Sequence, residues 1–370
     1  MLQSVSGVMK RHRNKTLLVN PAGFNSEDMN GKSIVVPEGL IREYRLVEGA
    51  TVTGQVRENG GFDLLKKVET VCGLSPGEFK KRKPYTQLTA LAPFERFNLS
   101  VTGEPSMRIV DLISPIARGT RGLIVSPPRA GKTILLEQIA RAIDAFDPDI
   151  RIIVLLIDER PDEVTHFRRS VKAEVIASSN DQGFREHVEL TEFVMAHVIT
   201  ELECGKDVVV LVDSLTRVAR AFNHKGSKRL KGRIMSGGLQ AGIMEIPRRF
   251  FGLARCIEGG GSVTIIASIL VDTGSRMDQL IFEEFKGTGN SEIILDRSLA
   301  EARVFPAINL TASGTRKEER LYEPHQIQQI NRLRRALTKI KSKKESMELL
   351  LKFINRYPTN EDFLNEEPPN

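Results

Sequence analysis

Three short stretches of this 370-residue chain carry residue types and spacings that could do chemistry. The first is Ser126-Pro127-Pro128-Arg129-Ala130-Gly131-Lys132-Thr133, which follows an apolar run and opens an amphipathic segment. A phosphate chain needs inward-pointing backbone N–H groups, the partial positive charge of a helix N-terminus, a lysine for the outer phosphates and a hydroxyl for magnesium. Pro128, Arg129, Ala130 and Gly131 would form the cradle, Lys132 the point charge and Thr133 the hydroxyl. Position 126 is Ser where the usual pattern G-x-x-x-x-G-K-[ST] has its first glycine, so only the second half of that pattern is met.

The other two stretches are apolar runs that end in acid. Val208-Val209-Val210-Leu211-Val212-Asp213 delivers a carboxylate to the carboxyl edge of a sheet, where ligands gather. Asp213 there would hold magnesium through its hydration shell, and would equally serve to cap the helix that starts near Ser214. Leu155-Leu156-Ile157-Asp158-Glu159-Arg160 delivers a second acidic end, and with this strand adjacent to the phosphate-loop strand, as expected, Glu159 is the residue placed to deprotonate an attacking water. The competing role for Glu159 is a surface ion pair with Arg160.

Parallel strands must position these ends. From about Arg108, apolar runs at 122–126, 151–157, 174–177, 207–212 and 262–269 alternate with amphipathic segments at 132–146 and 185–203, the pattern of βαβ units. In the first of these segments Ile134, Leu135, Gln138, Ile139, Ala142 and Ile143 form one stripe. Continuous apolar strands imply a sheet buried on both faces. The tail at 325–357 reads as helical and basic. Ahead of all this, short β-branched runs at 16–19, 33–36, 51–56 and 62–68, separated by Pro/Gly and Asn-Gly-Gly turns, predict a small barrel. Residues 73–86, with Lys80-Lys81-Arg82-Lys83, read as a linker too charged to pack. The predicted division is an oligonucleotide-binding-like domain at 1–72, a basic linker and connector at 73–107, and a RecA-like α/β domain with C-terminal helices at 108–370.

Composition sets the class. At 27% charged and 40% hydrophobic residues the chain is globular rather than disordered. No apolar run approaches a membrane span, and the first residues lack an export signal, so the expected compartment is the cytoplasm. Cys72, Cys204 and Cys256 are widely spaced and read as reduced thiols. The net charge is +7, and the first 86 residues hold 14 Lys and Arg against 9 Asp and Glu. A basic front end fits nucleic acid or a solvated face equally well.

The strings together resemble the family of the bacterial transcription termination factor Rho, ring-shaped RecA-like helicases. The resemblance spans nearly the whole chain and is dense over 108–325. It is carried by Pro127-Pro128-Arg129-Ala130-Gly131-Lys132-Thr133, Leu156-Ile157-Asp158-Glu159-Arg160-Pro161, Asp213-Ser214-Leu215-Thr216-Arg217 and Ser236-Gly237-Gly238. It continues through Pro247-Arg248-Arg249-Phe250-Phe251-Gly252, Asp272-Thr273-Gly274-Ser275-Arg276-Met277-Asp278, Glu283-Glu284-Phe285-Lys286-Gly287-Thr288-Gly289-Asn290 and Ser313-Gly314-Thr315-Arg316-Lys317-Glu318-Glu319.

The resemblance implies a homohexamer that hydrolyses ATP with Mg2+ between subunits, translocates single-stranded RNA and meets RNA polymerase. It implies that Asp213 holds the metal, Glu159 is the base, Phe305 stacks on adenine and Arg316 is an arginine finger. Arg160 and Arg303 are further candidates near the phosphates. It places RNA against Ser236, Gly237 and Gly238 and against Lys286 and Gly287. In the barrel the chain departs from the family pattern. Asn14-Lys15-Thr16-Leu17-Leu18-Val19 replaces an aromatic-rich strand and Val35 replaces a typical tyrosine, which leaves Phe62, with Phe24 as a further candidate platform. The family's leading helical segment is also not expected here, because the barrel pattern begins almost at Met1. Two other readings compete: a rotary ATP synthase subunit, which shares the core fold, and an RNA-binding regulator that keeps nucleotide as a structural element.

Overall fold

The computed structural model describes residues 2–21, 34–59, 62–227, 238–240 and 242–365. The first five strands, β1 (Leu2–His12), β2 (Lys15–Val19), β3 (Ile34–Val35), β4 (Thr51–Asn59) and β5 (Phe62–Val71), close a barrel in the order β1-β2-β3-β5-β4. Its interior is mainly aliphatic, with Met9, Leu18, Val36, Val52, Val56, Leu65, Val68 and Val71 buried together.

Nine strands build the second sheet: β6 (Ala90–Leu91), β7 (Arg121–Ser126), β8 (Arg151–Glu159), β9 (Glu174–Ser179), β10 (Val208–Asp213), β11 (Arg255–Ile257), β12 (Ser262–Leu270), β13 (Ser291–Ile294) and β14 (Gly314–Thr315). Its main path runs β14-β13-β7-β12-β10-β8-β9, and the pairs from β13 to β9 are all parallel. The alternation of side chains along a strand explains the unbroken apolar runs. In β8, Ile152, Val154 and Leu156 enter one core, while Ile153, Leu155 and Ile157 enter the other. Helix Lys132–Phe146 and the C-terminal helices cover the first face; helices Phe184–Glu203 and Leu215–Ser227 cover the second. This is the expected α/β RecA-like sheet behind a small all-β barrel.

Two expectations are corrected, and one, the helical tail, is refined. The stretch 73–86 does pack. Ser75 and Glu78 form a capping box on helix Pro76–Lys81, Phe79 is fully buried in the barrel core, and Arg82 lies 3.7 Å over the Phe79 ring while pairing with Glu203 at 3.0 Å. The charges sit on a helix anchored by the buried Phe79, with Leu74 packed against the same cluster. Phe79→Ala is expected to cost about 3–5 kcal/mol, read as a lowered denaturant midpoint. The tail is two helices, Pro324–Lys339 and Lys343–Arg356, because Ser342 restarts the chain by capping Glu345, and a third helix follows at Asn360–Asn365. Ile134, assigned to the apolar stripe, is 59% exposed, while Leu136 and Ala140 are buried.

The barrel is fastened to the C-terminal end of helix Phe184–Glu203. A Cβ on Gly49, whose φ is +85°, would lie 2.4 Å from the backbone of Ala196 and His197, so only glycine admits this approach. His197 Nδ1 donates to the Gly49 carbonyl at 2.6 Å, and Thr51 Oγ1 donates to Glu201 at 2.6 Å. Arg151, from β8, binds the same Glu201 at 2.8 Å.

Candidate functional site

The parallel order brings the carboxyl ends of β7, β12, β10 and β8 to one edge; β8 is not adjacent to β7 as expected, since β12 and β10 lie between them, and Glu159 meets the phosphate loop through Lys132 instead. The loop leaving β7 turns into helix Lys132–Phe146 through Arg129 (φ +64°) and Gly131 (φ +90°). Gly131 meets the left-handed requirement at the helix cap, which leaves the first N–H groups of the helix open for an anion. Pro128 and Arg129 are exposed, and Ala130 is buried beneath them. The Phe305 ring lies 3.8 Å from where a Gly131 Cβ would be and is 46% exposed, an aromatic face beside the loop.

Lys132 Nζ reaches both acidic strand ends. It is hydrogen-bonded to Asp213 Oδ1 and lies 3.4 Å from Glu159 Oε1. Asp213 is 1% exposed and accepts a 2.8 Å hydrogen bond from Ser268 Oγ on β12; its Oδ2 is buried without a partner. A buried carboxylate oxygen without a partner is costly unless something else binds it. Capping of the next helix falls instead to Ser214, whose Oγ accepts from Arg217 N at 3.4 Å.

Glu159 is 3% exposed, which rules out a surface ion pair with Arg160; its second partner is Arg217 Nη2 at 3.4 Å. Burial, and then the neighbouring Asp213 charge, push the Glu159 carboxyl up to about 7, against the pull of Lys132 and Arg217. Such a group can exchange its proton near neutral pH. Two contributors were missed in the sequence. Arg217 stands four residues after Asp213, one helical turn on, and Ser268 is a polar residue inside the apolar β12 run. Both are legible once the strands are aligned.

Arg160 and Arg303 are exposed, Arg160 at the start of helix Pro161–Ser170 and Arg303 at φ +59° before Phe305. Gly238 has φ +84°; Ser236, Gly237, Phe24 and the side chain of Phe62 lie outside the described residues. Lys286 ends helix Arg276–Lys286, with its ammonium 5.5 Å over the Phe282 ring, and Gly287 follows in open space at φ −81°.

Arg316 is not at this edge. Its N–H donates to the Asn290 carbonyl at 2.8 Å, and Asn290 is hydrogen-bonded on both sides to the backbone of Arg121, the first residue of β7. Arg316 therefore sits at the opposite end of β7 from the phosphate loop, about 20 Å away for a six-residue strand. There it lines a cavity of about 490 Å3 with Arg121, Arg255, Lys317 and Arg320, and none of the described lining residues is acidic.

Residues 106–315 match the family model for the ATP synthase alpha/beta family, nucleotide-binding domain. Among solved structures, an ATPase of the type III secretion system of pathogenic bacteria matches with a TM-score of 0.61 at 21% identity, covering 76% of this chain and 86% of its own. The type III secretion ATPase of enteropathogenic E. coli, assembled with its central stalk, matches at 0.58 and 23%, covering 73% and 62%. These two likenesses establish the fold. In sequence the chain is 49% identical to transcription termination factor Rho of Aquifex aeolicus, over 90% of this chain and 77% of the relative. It is 44% identical to Rho of Chromobacterium violaceum, over 95% and 86%. With that identity over nearly its whole length, on a nucleotide-binding core whose lysine and acids converge at one sheet edge, the chain belongs to the transcription termination factor Rho family.

Proposed function

We propose that this chain is an ATP-driven RNA translocase acting in transcription termination, in which a ring of identical subunits, a hexamer, hydrolyses ATP at each seam. The observation that carries the reading is the placement of Arg316 at the far end of β7 from the loop bearing Lys132. An arginine there cannot serve its own subunit's nucleotide, but it can serve the next subunit's. The acid-free cavity around it leaves the guanidinium seeking an anion.

Within one seam the roles follow from the contacts. Lys132 is tied to Asp213 and Glu159; phosphate oxygens would compete for it and leave Glu159 to accept a proton from water. The oxygen set fits magnesium: Thr133 Oγ1 and the unpartnered Asp213 Oδ2 are the hard donors that ion prefers. Magnesium supplies charge neutralisation on the phosphates when bound. Pro128, Arg129, Ala130 and Gly131 wrap the phosphate chain, and Phe305 offers its open face to the base. Arg160 and Arg303 flank the site as secondary cations, while Gly238, Lys286 and Gly287 belong to loops that follow the RNA backbone. Family membership also supports contact with RNA polymerase and a place in the cytoplasm; no helix among the described residues is long and apolar enough to cross a membrane.

The test is ATP turnover with and without a panel of single-stranded RNAs, for the intact chain and for Lys132→Ala. Turnover that rises with RNA and vanishes in the variant is expected; equal turnover with and without every RNA would defeat the translocase reading. At the barrel, with no aromatic residue in β2 or β3, affinity for polypyrimidine RNA is expected to fall steeply between about 50 and 200 mM salt and to show no pyrimidine preference at the higher value. Filter binding with polypyrimidine and mixed RNA checks this.

A further inference from the structure

Beside the phosphate site, on the same sheet edge, lies a second cavity of about 440 Å3 with a different lining. Phe184, the first residue of helix Phe184–Glu203, stacks on His224 with ring centroids 4.1 Å apart and planes 16° apart. Phe184 is 43% exposed, so a large aromatic ring is held in place by its neighbours yet left open. His187 meets it edge-on at 6.0 Å and is itself fixed by a 2.6 Å hydrogen bond between its Nδ1 and Ser178 Oγ. Arg217 and Arg220 supply guanidinium groups to the lining. Arg220 is locked by Asp278 at 2.8 and 2.5 Å, while Arg217 reaches Glu159 at 3.4 Å and Asp158 at 3.9 Å. Asn223 ties the rim down, donating to the Gly238 carbonyl at 3.1 Å and accepting from Gln240 N at 3.0 Å.

We infer that the Phe184–His224 pair is a stacking platform for one base of single-stranded RNA, at a site that also touches the hydrolysis machinery through Arg217. The inference rests on the RNA-translocase reading and deepens it. Exposed aromatic faces interleaved with cations are what single-strand grips are made of, because every base has a π-face and every nucleotide a phosphate. The sequence joining the two halves of the site favours the same partner: residues 225–237 carry Lys225, Lys228, Arg229, Lys231 and Arg233 and no acid. A cavity of this size accepts a nucleotide. Because Arg217 lines this cavity and also contacts Glu159, a base on the platform sits one side chain away from the carboxylate that accepts the proton of the attacking water.

The full-length chain with ATP and magnesium is titrated with a single-stranded RNA carrying 2-aminopurine, and both base fluorescence and RNA-stimulated ATP turnover are read. Expected results are quenching in the parent chain, its loss in Phe184→Ala and His224→Ala, and its retention in Phe184→Tyr. The RNA concentration for half-maximal turnover should rise roughly 5- to 150-fold in Phe184→Ala, the range that about 1–3 kcal/mol per stacked base corresponds to, with half-saturation by ATP at excess RNA unchanged. Unchanged RNA half-saturation and quenching in both alanine variants overturns the platform. A changed sedimentation profile with unchanged RNA half-saturation also overturns it, by assigning Phe184 to a seam between subunits. Absence of RNA stimulation in the parent chain would instead defeat the translocase reading on which it rests.

Discussion

Arg316→Ala is expected to lower ATP turnover by about 10³- to 10⁵-fold, the value of a finger supplied across an interface, while leaving nucleotide binding to the Lys132 loop largely intact. The distinguishing measurement is a mixture. Arg316→Ala and Lys132→Ala subunits are each expected to be inactive alone, but in the proposed ring a mixture contains seams in which the first supplies an intact cradle and the second an intact arginine. Turnover should therefore reappear on mixing and follow the proportion of such seams. A mixture as dead as its components would mean that cradle and guanidinium must come from one chain, which the separation along β7 forbids. Arg121 and Arg255, which crowd the same cavity, should not substitute for Arg316 in this assay.

The second large effect belongs to Glu159. Glu159→Gln keeps the shape and removes the proton acceptor, so turnover should drop by about 10²- to 10⁴-fold. With the carboxyl at about 7, the parent chain's turnover at limiting ATP should climb through neutral pH and level off above it, and the glutamine variant should lack that limb. Stability carries the same signature in the unliganded chain. The folded-state value lies above the ordinary 4.5, so between those two values the folded chain keeps a proton that the unfolded chain has lost. Stability contributed by this group is thus present at low pH and is lost as pH rises from about 4.5 through about 7. The difference in melting temperature between pH 5 and pH 8 should narrow in Glu159→Gln. Lys132, Arg217, Asp213 and Glu163 all face the carboxyl and set the exact midpoint.

Much of the core was readable because its strands are apolar on both faces, so β7, β8, β9, β10 and β12 announce themselves as apolar runs, the first four of which end in Ser, Glu or Asp. Lys132, Asp213 and Glu159 followed, since each stands at a strand end or just beyond one. What escaped was non-local or half-solvated. β1 reads LQSVSGVMKRH, with only its middle turned inward, so it lacks an apolar signature. β13 and β14 are four and two residues long and exist by pairing across the chain; that pairing alone puts Arg316 beside Arg121, and no local pattern announces it. The charged stretch at 80–83 concealed Phe79, because a single buried ring leaves no periodicity. Ile134 shows the reverse error: its spacing fits the stripe, but it lies at the outer edge of a helix whose inner face is Leu135, Ile139, Ala142 and Ile143.

Helix Phe184–Glu203 runs twenty residues, about 30 Å, between two anchorages. Its last turns are bolted to the barrel through Gly49 and Thr51, and its first residue carries the ring that faces the cavity. One rigid element therefore joins the barrel to the rim of the cavity beside the phosphate loop, so that the two share a common strut.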